Sequence, residues 1–446
     1  MQAGEVVADR FAIERLAGRG GMGEVYRALD RHTGQPVAVK VLRGEQDATD
    51  GRFAREVRTL ASIAHPRIVR YISHGQFHGG EPYLVMEWLE GVDLSTRLLR
   101  GAMDATDAIR VARGAAEALG ALHERGILHR DLKPSNLFLV GGDVDQVKLV
   151  DFGLARNRTA SKLTRTGMLL GTAAYMSPEQ ATGEDVLEAA ADIFSLGCVI
   201  FECLTGERAF EGTHFMAVLT KILFQDAPRI REKRPEIPQS LCALVERMLS
   251  KVPKKRPSSG RDVVAELEVI QDIQALQFDD TVEIQTLVSL TQSEQRTVAL
   301  IFIGTSENSE TEPLLTAEAA KHDLRLEWLF DGSAVVMLSS AVVATDLAIQ
   351  AARCALALKR HAHDRHVVLT IGRAEEKCRS HVGQAIDRAA KILEGVDAER
   401  TKRDYVFLDE TTKGLLDARF DVFDEDGKIV LRAQREVTEV RTLMGK

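Results

Sequence analysis

His129-Arg130-Asp131-Leu132-Lys133-Pro134-Ser135-Asn136 decides how this chain is read, and after two strand-like segments Asp151-Phe152-Gly153 follows it. The octet sets a carboxylate, an ammonium and a carboxamide close together. Upstream, Gly18-Arg19-Gly20-Gly21-Met22-Gly23-Glu24-Val25 lies between two predicted strands, and glycines there let backbone amides approach an anionic phosphate chain. A dinucleotide-binding turn is disfavoured, because a strand rather than a helix follows the glycines. Val37-Ala38-Val39-Lys40 then puts a lysine on the next strand, and Phe53, Val57, Leu60 and Ile63 mark a helix that leaves Glu56 beside its apolar stripe. Each motif is ordinary by itself; in this order and spacing they are specific.

Outward from these motifs, short β-type segments at Phe11 to Leu16, Glu24 to Ala28, Pro36 to Leu42, Ile68 to His74 and Tyr83 to Trp88 predict an antiparallel meander. After Gly91 the periodicity changes to helices at Ala105 to Arg125, Ala189 to Leu204, Phe215 to Phe224, Gln239 to Leu249 and Gly260 to Ile270. A small β lobe thus precedes a mostly helical one.

Together the motifs resemble the eukaryotic-like serine/threonine protein kinases, most closely their bacterial members, over about residues 8–272. The resemblance implies an N-lobe over about 8–90 and a C-lobe over about 91–272, with ATP and Mg2+ as cofactors. It implies that Gly18, Arg19, Gly20, Gly21, Met22, Gly23 and Val25 cover the nucleotide, with Ala38 beside it. Lys40 would hold the α and β phosphates, oriented by Glu56, and Glu87 to Leu89 would meet adenine through the backbone, with Met86 as gatekeeper. Asn136 and Asp151 would bind magnesium. Asp131 would orient and deprotonate the substrate hydroxyl, and Lys133 would stabilise the transferring phosphoryl, its lysine resembling the Ser/Thr-specific branch. These residue types suit a transfer in which positioning and charge stabilisation dominate. The partners implied are proteins offering Ser or Thr hydroxyls.

Between Asp151 and Ser177-Pro178-Glu179 the chain carries Thr159, Ser161, Thr164, Thr166 and Thr172. Arg130 precedes Asp131, as in kinases whose loop phosphate is held by that arginine, and Leu163-Thr164-Arg165-Thr166 resembles the double-threonine activation site of bacterial kinases. Autophosphorylation on Thr164 and Thr166 is therefore expected, with Arg130 pairing the added charge. Thr172 is expected to contact Asp131 and Lys133, Glu179 to pair with Arg256, and Asp192 to brace the octet. In the run Lys251 to Arg256, Arg256-Pro257 resembles the kinase pattern, and the other residues read as a solvated helix end rather than a nucleic-acid patch.

Residues 273–295 read as a linker. From Arg296 to Val437 the predicted order is a strand (Thr297 to Ile303), a helix (Thr311 to His322), a hairpin (Arg325 to Leu329, Ala334 to Leu338), a helix (Thr345 to Ala362), a strand (Val367 to Gly372) and a helix (Gln384 to Leu393). Short strands near Tyr405 to Leu408 and Lys428 to Leu431 close it, giving a βαββαβ α+β sandwich. Arg296-Thr297-Val298, Asp331-Gly332, Ile371-Gly372 and Gly383 to Ala390 resemble the class III nucleotidyl cyclase homology domain. The fold class is then α+β: a bilobal kinase followed by a smaller ferredoxin-like, cyclase-like domain at 296–437. A working cyclase needs two metal-binding carboxylates, an asparagine and an arginine. Those places hold Gly304, Asp387 and Lys391, with only Asp331 left as a ligand, so the domain is expected to be inactive and to serve dimerisation or regulation. The alternatives are a bifunctional kinase and cyclase, and a nucleotide-binding scaffold without catalysis.

Charge separates the same two regions. Residues 1–270 hold 36 Lys+Arg and 36 Asp+Glu, leaving 22 and 30 for the rest, so the whole net charge of −8 lies in the C-terminal part. An acidic region is a poor grip for nucleic acid. The five cysteines lack CxxC spacing, which predicts reduced, buried thiols rather than a disulfide or zinc framework. Neither a signal peptide nor a membrane-spanning run is read, and the compartment expected on that reading is the cytoplasm.

Overall fold

The computed structural model describes residues 2–20, 23–42, 63–77, 81–151, 170–277, 295–306, 309–340, 343–375, 380–395 and 404–435. Their contacts divide the chain into two compact units. The described residues within Met1–Thr159, Leu187–Ala209 and Arg229–Val282 form the first; those within Ala160–Val186, Phe210–Pro228 and Glu283–Lys446 form the second. Two pieces of the expected helical lobe, around the helices Pro178–Ala181 and Phe215–Phe224, therefore group with the C-terminal region.

In the first unit, β1 (Val6–Val7), β2 (Phe11–Gly20), β3 (Gly23–Asp30), β4 (Pro36–Leu42), β5 (Tyr71–Gln76) and β6 (Pro82–Glu87) form one sheet in the order β1-β2-β3-β4-β6-β5, all neighbours antiparallel. Its inner face buries Phe11, Ile13, Tyr26, Ala28, Val37, Val39, Tyr83 and Val85, the alternation a half-buried sheet requires. The glycine-rich run is not a loose turn. Gly18 pairs with Val25, Arg19 with Glu24 and Gly20 with Gly23, so β2 and β3 continue to within two residues of each other.

The helical part of this unit is built on Ala105–His123, Ala189–Thr205, Gln239–Met248 and Gly260–Gln277. The first has Asp104 as N-cap, accepting from Asp107 N, and buries Ile109, Leu119 and Leu122. A second, three-stranded sheet, β7 (Gly91–Asp93), β8 (Leu137–Val140) and β9 (Val147–Leu149), carries the octet on its approach and Asp151 on its exit. The last helix runs to Gln277 instead of stopping at Ile270, so it takes in the first residues of the expected linker. It also packs closely on its neighbour: a Cβ on Gly260 would lie 2.2 Å from the Ala116 carbonyl oxygen and 2.5 Å from the Gly120 nitrogen. Both obstacles are backbone. Gly260→Ala is expected to cost about 1–3 kcal/mol, read as a lowered thermal midpoint.

In the second unit, β10 (Gln295–Ile303), β11 (Leu326–Trp328), β12 (Ala334–Ser340), β13 (Val367–Glu375), β14 (Val406–Leu408), β15 (Phe420–Glu425) and β16 (Lys428–Gln434) form a seven-stranded sheet. Its order is β11-β12-β10-β13-β14-β16-β15, antiparallel except for β13 with β14. Ala299, Ile301, Ile303, Val367, Leu369 and Ile371 pack on the helices Glu312–Lys321 and Ala344–Lys359 through Leu315, Leu347, Ala351 and Ala355. The helix Ser380–Glu394 packs on β13. The helix Glu410–Leu415 and strand β15 add to the expected order. No described helix is long and apolar enough to cross a membrane.

Candidate active site

The octet is held from behind by one carboxylate. Asp192, in the first turn of the helix Ala189–Thr205, accepts from His129 N (Oδ2, 2.8 Å), Arg130 N (Oδ1, 2.8 Å) and lies 3.0 Å from His123 Nε2. These bonds support an unusual backbone, since Arg130 sits at φ +63°, a left-handed conformation costly for a non-glycine residue. Burial alone would raise the Asp192 carboxyl, but the His123 hydrogen bond and charge, with the His129 amide, hold it below its ordinary range. His129, fully buried, is pushed down by desolvation, with the Asp192 charge opposing the shift.

So fixed, the octet brings its three polar groups together. Lys133 Nζ lies 2.9 Å from Asp131 Oδ2, and Asn136 Nδ2 donates to the Asp131 carbonyl at 2.7 Å and to Oδ2 at 3.3 Å. Asp131 and Asn136 are both buried. The 3-10 turn Pro134–Asn136 is tied to the end of β9 by the Val150 amide donating to the Asn136 carbonyl at 2.9 Å, which sets the next residue, Asp151. Asp151 is itself left-handed, at φ +56°. Its Oδ1 is 2.6 Å from Lys40 Nζ, the buried lysine of β4.

The described residues expected to line the nucleotide site fall on one sheet. Val25 is opposite Lys40, and Ala38 is opposite Met86. Arg19 pairs with Glu24 at 3.1 Å, and Gly23 has φ +144°, which suits glycine alone. At the end of β6 the Glu87 amide donates to the Arg70 carbonyl at 2.9 Å, while the Glu87 carboxylate accepts from Arg70 N at 2.8 Å and Lys148 Nζ at 2.5 Å. The Glu87 side chain therefore ties β6 to β9, and Leu89 follows half-buried. Gly21, Met22, Glu56, Phe152, Gly153, Thr164 and Thr166 lie outside the described residues, as do Thr159 and Ser161.

Thr172, on the helix Leu170–Ala173, and buried Glu179 belong to the second unit, and Arg256 to the first. Arg256 donates to the carbonyls of Ser250 (2.8 Å) and Ala190 (2.9 Å), and its guanidinium lies 4.9 Å from the Phe194 ring centre. Lys251 also stacks on Phe194, at 5.6 Å, so this member of the basic run is packed rather than solvated. Lys254 and Lys255 are exposed. His123 and Lys148 are the site-supporting residues the sequence reading missed. Their partners Asp192 and Glu87 are distant in the chain, and no local pattern announces either pair.

Of the residues weighed for cyclase chemistry, Asp331 is absorbed by its own turn, its Oδ1 accepting from Ser333 N (3.0 Å) and Ser333 Oγ (2.5 Å). Asp387 pairs with Lys221 Nζ at 2.7 Å, and Lys391 is exposed. Cys198, Cys203, Cys242 and Cys354 are buried, with burial pushing their thiols up; Cys378 lies outside the described residues.

An ammonium on a strand, a buried loop carboxylate with its lysine and carboxamide, and a second carboxylate beside the ammonium match one known family. The protein kinase domain matches residues 11–269. The chain belongs to the protein kinase family. It is 36% identical over 267 residues to serine/threonine-protein kinase PknA of Mycobacterium tuberculosis, covering 58% of this chain and 61% of that protein. It is 36% identical over 278 residues to PknB of Mycolicibacterium smegmatis, covering 60% and 44%. To the probable PknB of Lactococcus lactis it is 35% identical over 272 residues, covering 60% and 43%. The chain thus spans about three-fifths of the first relative and less than half of the other two. The sheet and the helical region after it are the two lobes of the kinase fold.

Proposed function

We propose that this protein is a serine/threonine kinase that moves the γ-phosphoryl group of ATP to Ser or Thr hydroxyls of protein substrates. The observation that carries the reading is the assembled set: Asp131 with Lys133 and Asn136 on a loop held by Asp192, and Lys40 2.6 Å from Asp151. Lys40 binds the α and β phosphates under the β2–β3 hairpin. The Asp131 carboxylate orients the substrate hydroxyl and accepts its proton, and Lys133 neutralises charge on the phosphoryl group in transfer. Asn136 and Asp151 offer the hard oxygen donors that magnesium takes, in the small number usual where phosphates complete the coordination, and so fit the ion. Bound there, magnesium would neutralise phosphate charge. The test is incubation of the full chain with labelled ATP, Mg2+ and a basic protein substrate, scoring phosphoprotein and cyclic nucleotide together. Absence of phosphoprotein would sink the reading.

We also infer activation by autophosphorylation on Thr164 and Thr166. The support is their place in a polar segment following Asp151 and the neighbouring Arg130 in the octet. Phosphopeptide mapping after incubation with Mg-ATP is expected to find both modified in the parent and neither in Asp131→Asn.

The region from 296 onward is read as a cyclase-like domain without cyclase chemistry, used for regulation or for homodimerisation through it or the kinase lobes. Gly304 in place of a carboxylate, Asp331 held within its own turn and Asp387 held by Lys221 support that reading. Cyclic nucleotide from ATP or GTP would favour the bifunctional alternative instead.

A further inference from the structure

Within the second unit, residues from the matched kinase domain and residues well beyond its end form one seam. The helix Phe215–Phe224 packs on the helix Ser380–Glu394. Lys221, buried in its apolar helix, reaches both carboxylate oxygens of Asp387, at 2.7 and 2.8 Å, while its Nζ also donates to the Glu211 carbonyl at 2.6 Å. The two helices approach closely: a Cβ on Gly383 would lie 2.6 Å from Gln225 Oε1, the end of a flexible side chain. The second half of the seam is the β11–β12 turn. The Phe330 ring meets Phe215 edge to face with centres 5.3 Å apart, and the Phe330 amide donates to the Ala181 carbonyl at 3.0 Å. Gly183, at φ +73°, lies under Phe330, where a Cβ would come within 3.2 Å of the Phe330 Cβ.

From this geometry we infer that the surface formed by Pro178–Gly183 and Phe215–Gln225 is the docking site of the chain's own C-terminal region, engaged in cis. The chemistry of the occupant is specific: an aspartate to meet a lysine whose burial leaves it costly to strand, and an aromatic ring to fill the space over a glycine. A lone surface ion pair would carry little. Here the pair is half-buried, and an aromatic contact and a backbone hydrogen bond accompany it. The position gives the seam its meaning. Leu170–Gly183 is the stretch into which the expected phosphorylation segment runs, so a C-terminal region seated on Ala181 and Gly183 holds the far end of that segment. This gives the proposed regulatory tail a point of action. It rests on that reading for its biological sense, but its test does not depend on catalysis.

The test is hydrogen exchange on the full-length chain. Asp387→Lys, which opposes two ammonium groups, and Phe330→Ser, which removes the ring, are each expected to raise exchange in 178–186 and 215–224 about tenfold, with Ala105–His123 unchanged. Lys221→Glu combined with Asp387→Lys is expected to restore protection. Parent exchange should not vary over a roughly hundredfold range of protein concentration. Unchanged exchange in both single variants, or a charge swap without rescue, overturns the docking. Protection that grows with concentration overturns the cis assignment in favour of a second copy.

Discussion

Asp131→Asn is expected to lower phosphoryl transfer to a protein substrate by about 10²- to 10⁴-fold, while nucleotide binding and the thermal midpoint stay near those of the parent. The substitution preserves shape and one oxygen, so either Lys133 Nζ, now 2.9 Å from Oδ2, or the Asn136 carboxamide keeps an acceptor. What is lost is the negative charge that draws the proton from the attacking hydroxyl. Lys40, Asp151 and the β2–β3 hairpin are untouched, and they are the groups assigned to the nucleotide. The measurement is steady-state transfer to a basic protein, paired with binding of a non-hydrolysable ATP analogue. A variant with more than about a tenth of parental activity would remove Asp131 from proton transfer and leave positioning alone to account for the rate. Loss of analogue binding would instead mean that the substitution had disturbed the loop.

Most of this architecture is written in local pattern, and the exceptions are informative. The helix Phe215–Phe224 has the same limits in sequence and structure because its apolar spacing is uninterrupted between a histidine cap and a change of composition. The glycine-rich hairpin was legible as a turn, yet its glycines also pair as strand residues, which composition does not predict because glycine is a poor strand former in isolation. Strand β15 was missed because its register shifts between Asp421 and Val422, which breaks the alternation that marks a strand. The helix Glu410–Leu415, opened by the Asp409 side chain accepting from Thr412 N at 2.8 Å, is too short to show a period.

In the site itself, the residues tied to motifs could be named in advance, whereas their supports could not. His123 looks like an ordinary last-turn histidine until Asp192 is seen 3.0 Å away. Lys221 looks like a stray charge in an apolar helix until Asp387, far along the chain, is brought to it. A motif records what a ligand or substrate demands of neighbouring residues. Long-range pairs record only what the fold demands, and that demand leaves no spacing to read.

Asp192→Ala is expected to destabilise the kinase unit by about 3–5 kcal/mol, because it strands groups that have no other route to water. The carboxylate is 1% exposed and satisfies the His129 and Arg130 amides and the His123 ring at once. Arg130 would also lose the bond that supports its left-handed backbone, so Asp131 beside it should wander, and displacement of about 1 Å can cost 10² in rate. A fall in thermal midpoint of at least about 6 °C and a matching loss of transfer are expected together. The pH dependence separates this from a generic cavity. In the parent the depressed Asp192 carboxyl stabilises above its unfolded value and loses that contribution only as pH falls through its lower folded value. His129, a base held below its ordinary value of 6.5, makes stability fall as pH drops below that value, since the unfolded chain takes the proton first. Asp192 is the largest charge opposing the depression of His129, so without it the histidine should be depressed further. The midpoint of Asp192→Ala is therefore expected to fall more steeply than the parent's as pH drops from about 7.5 to about 5. Parallel pH profiles, whatever the absolute loss, would show that His129 and Asp192 do not share the coupling their geometry implies.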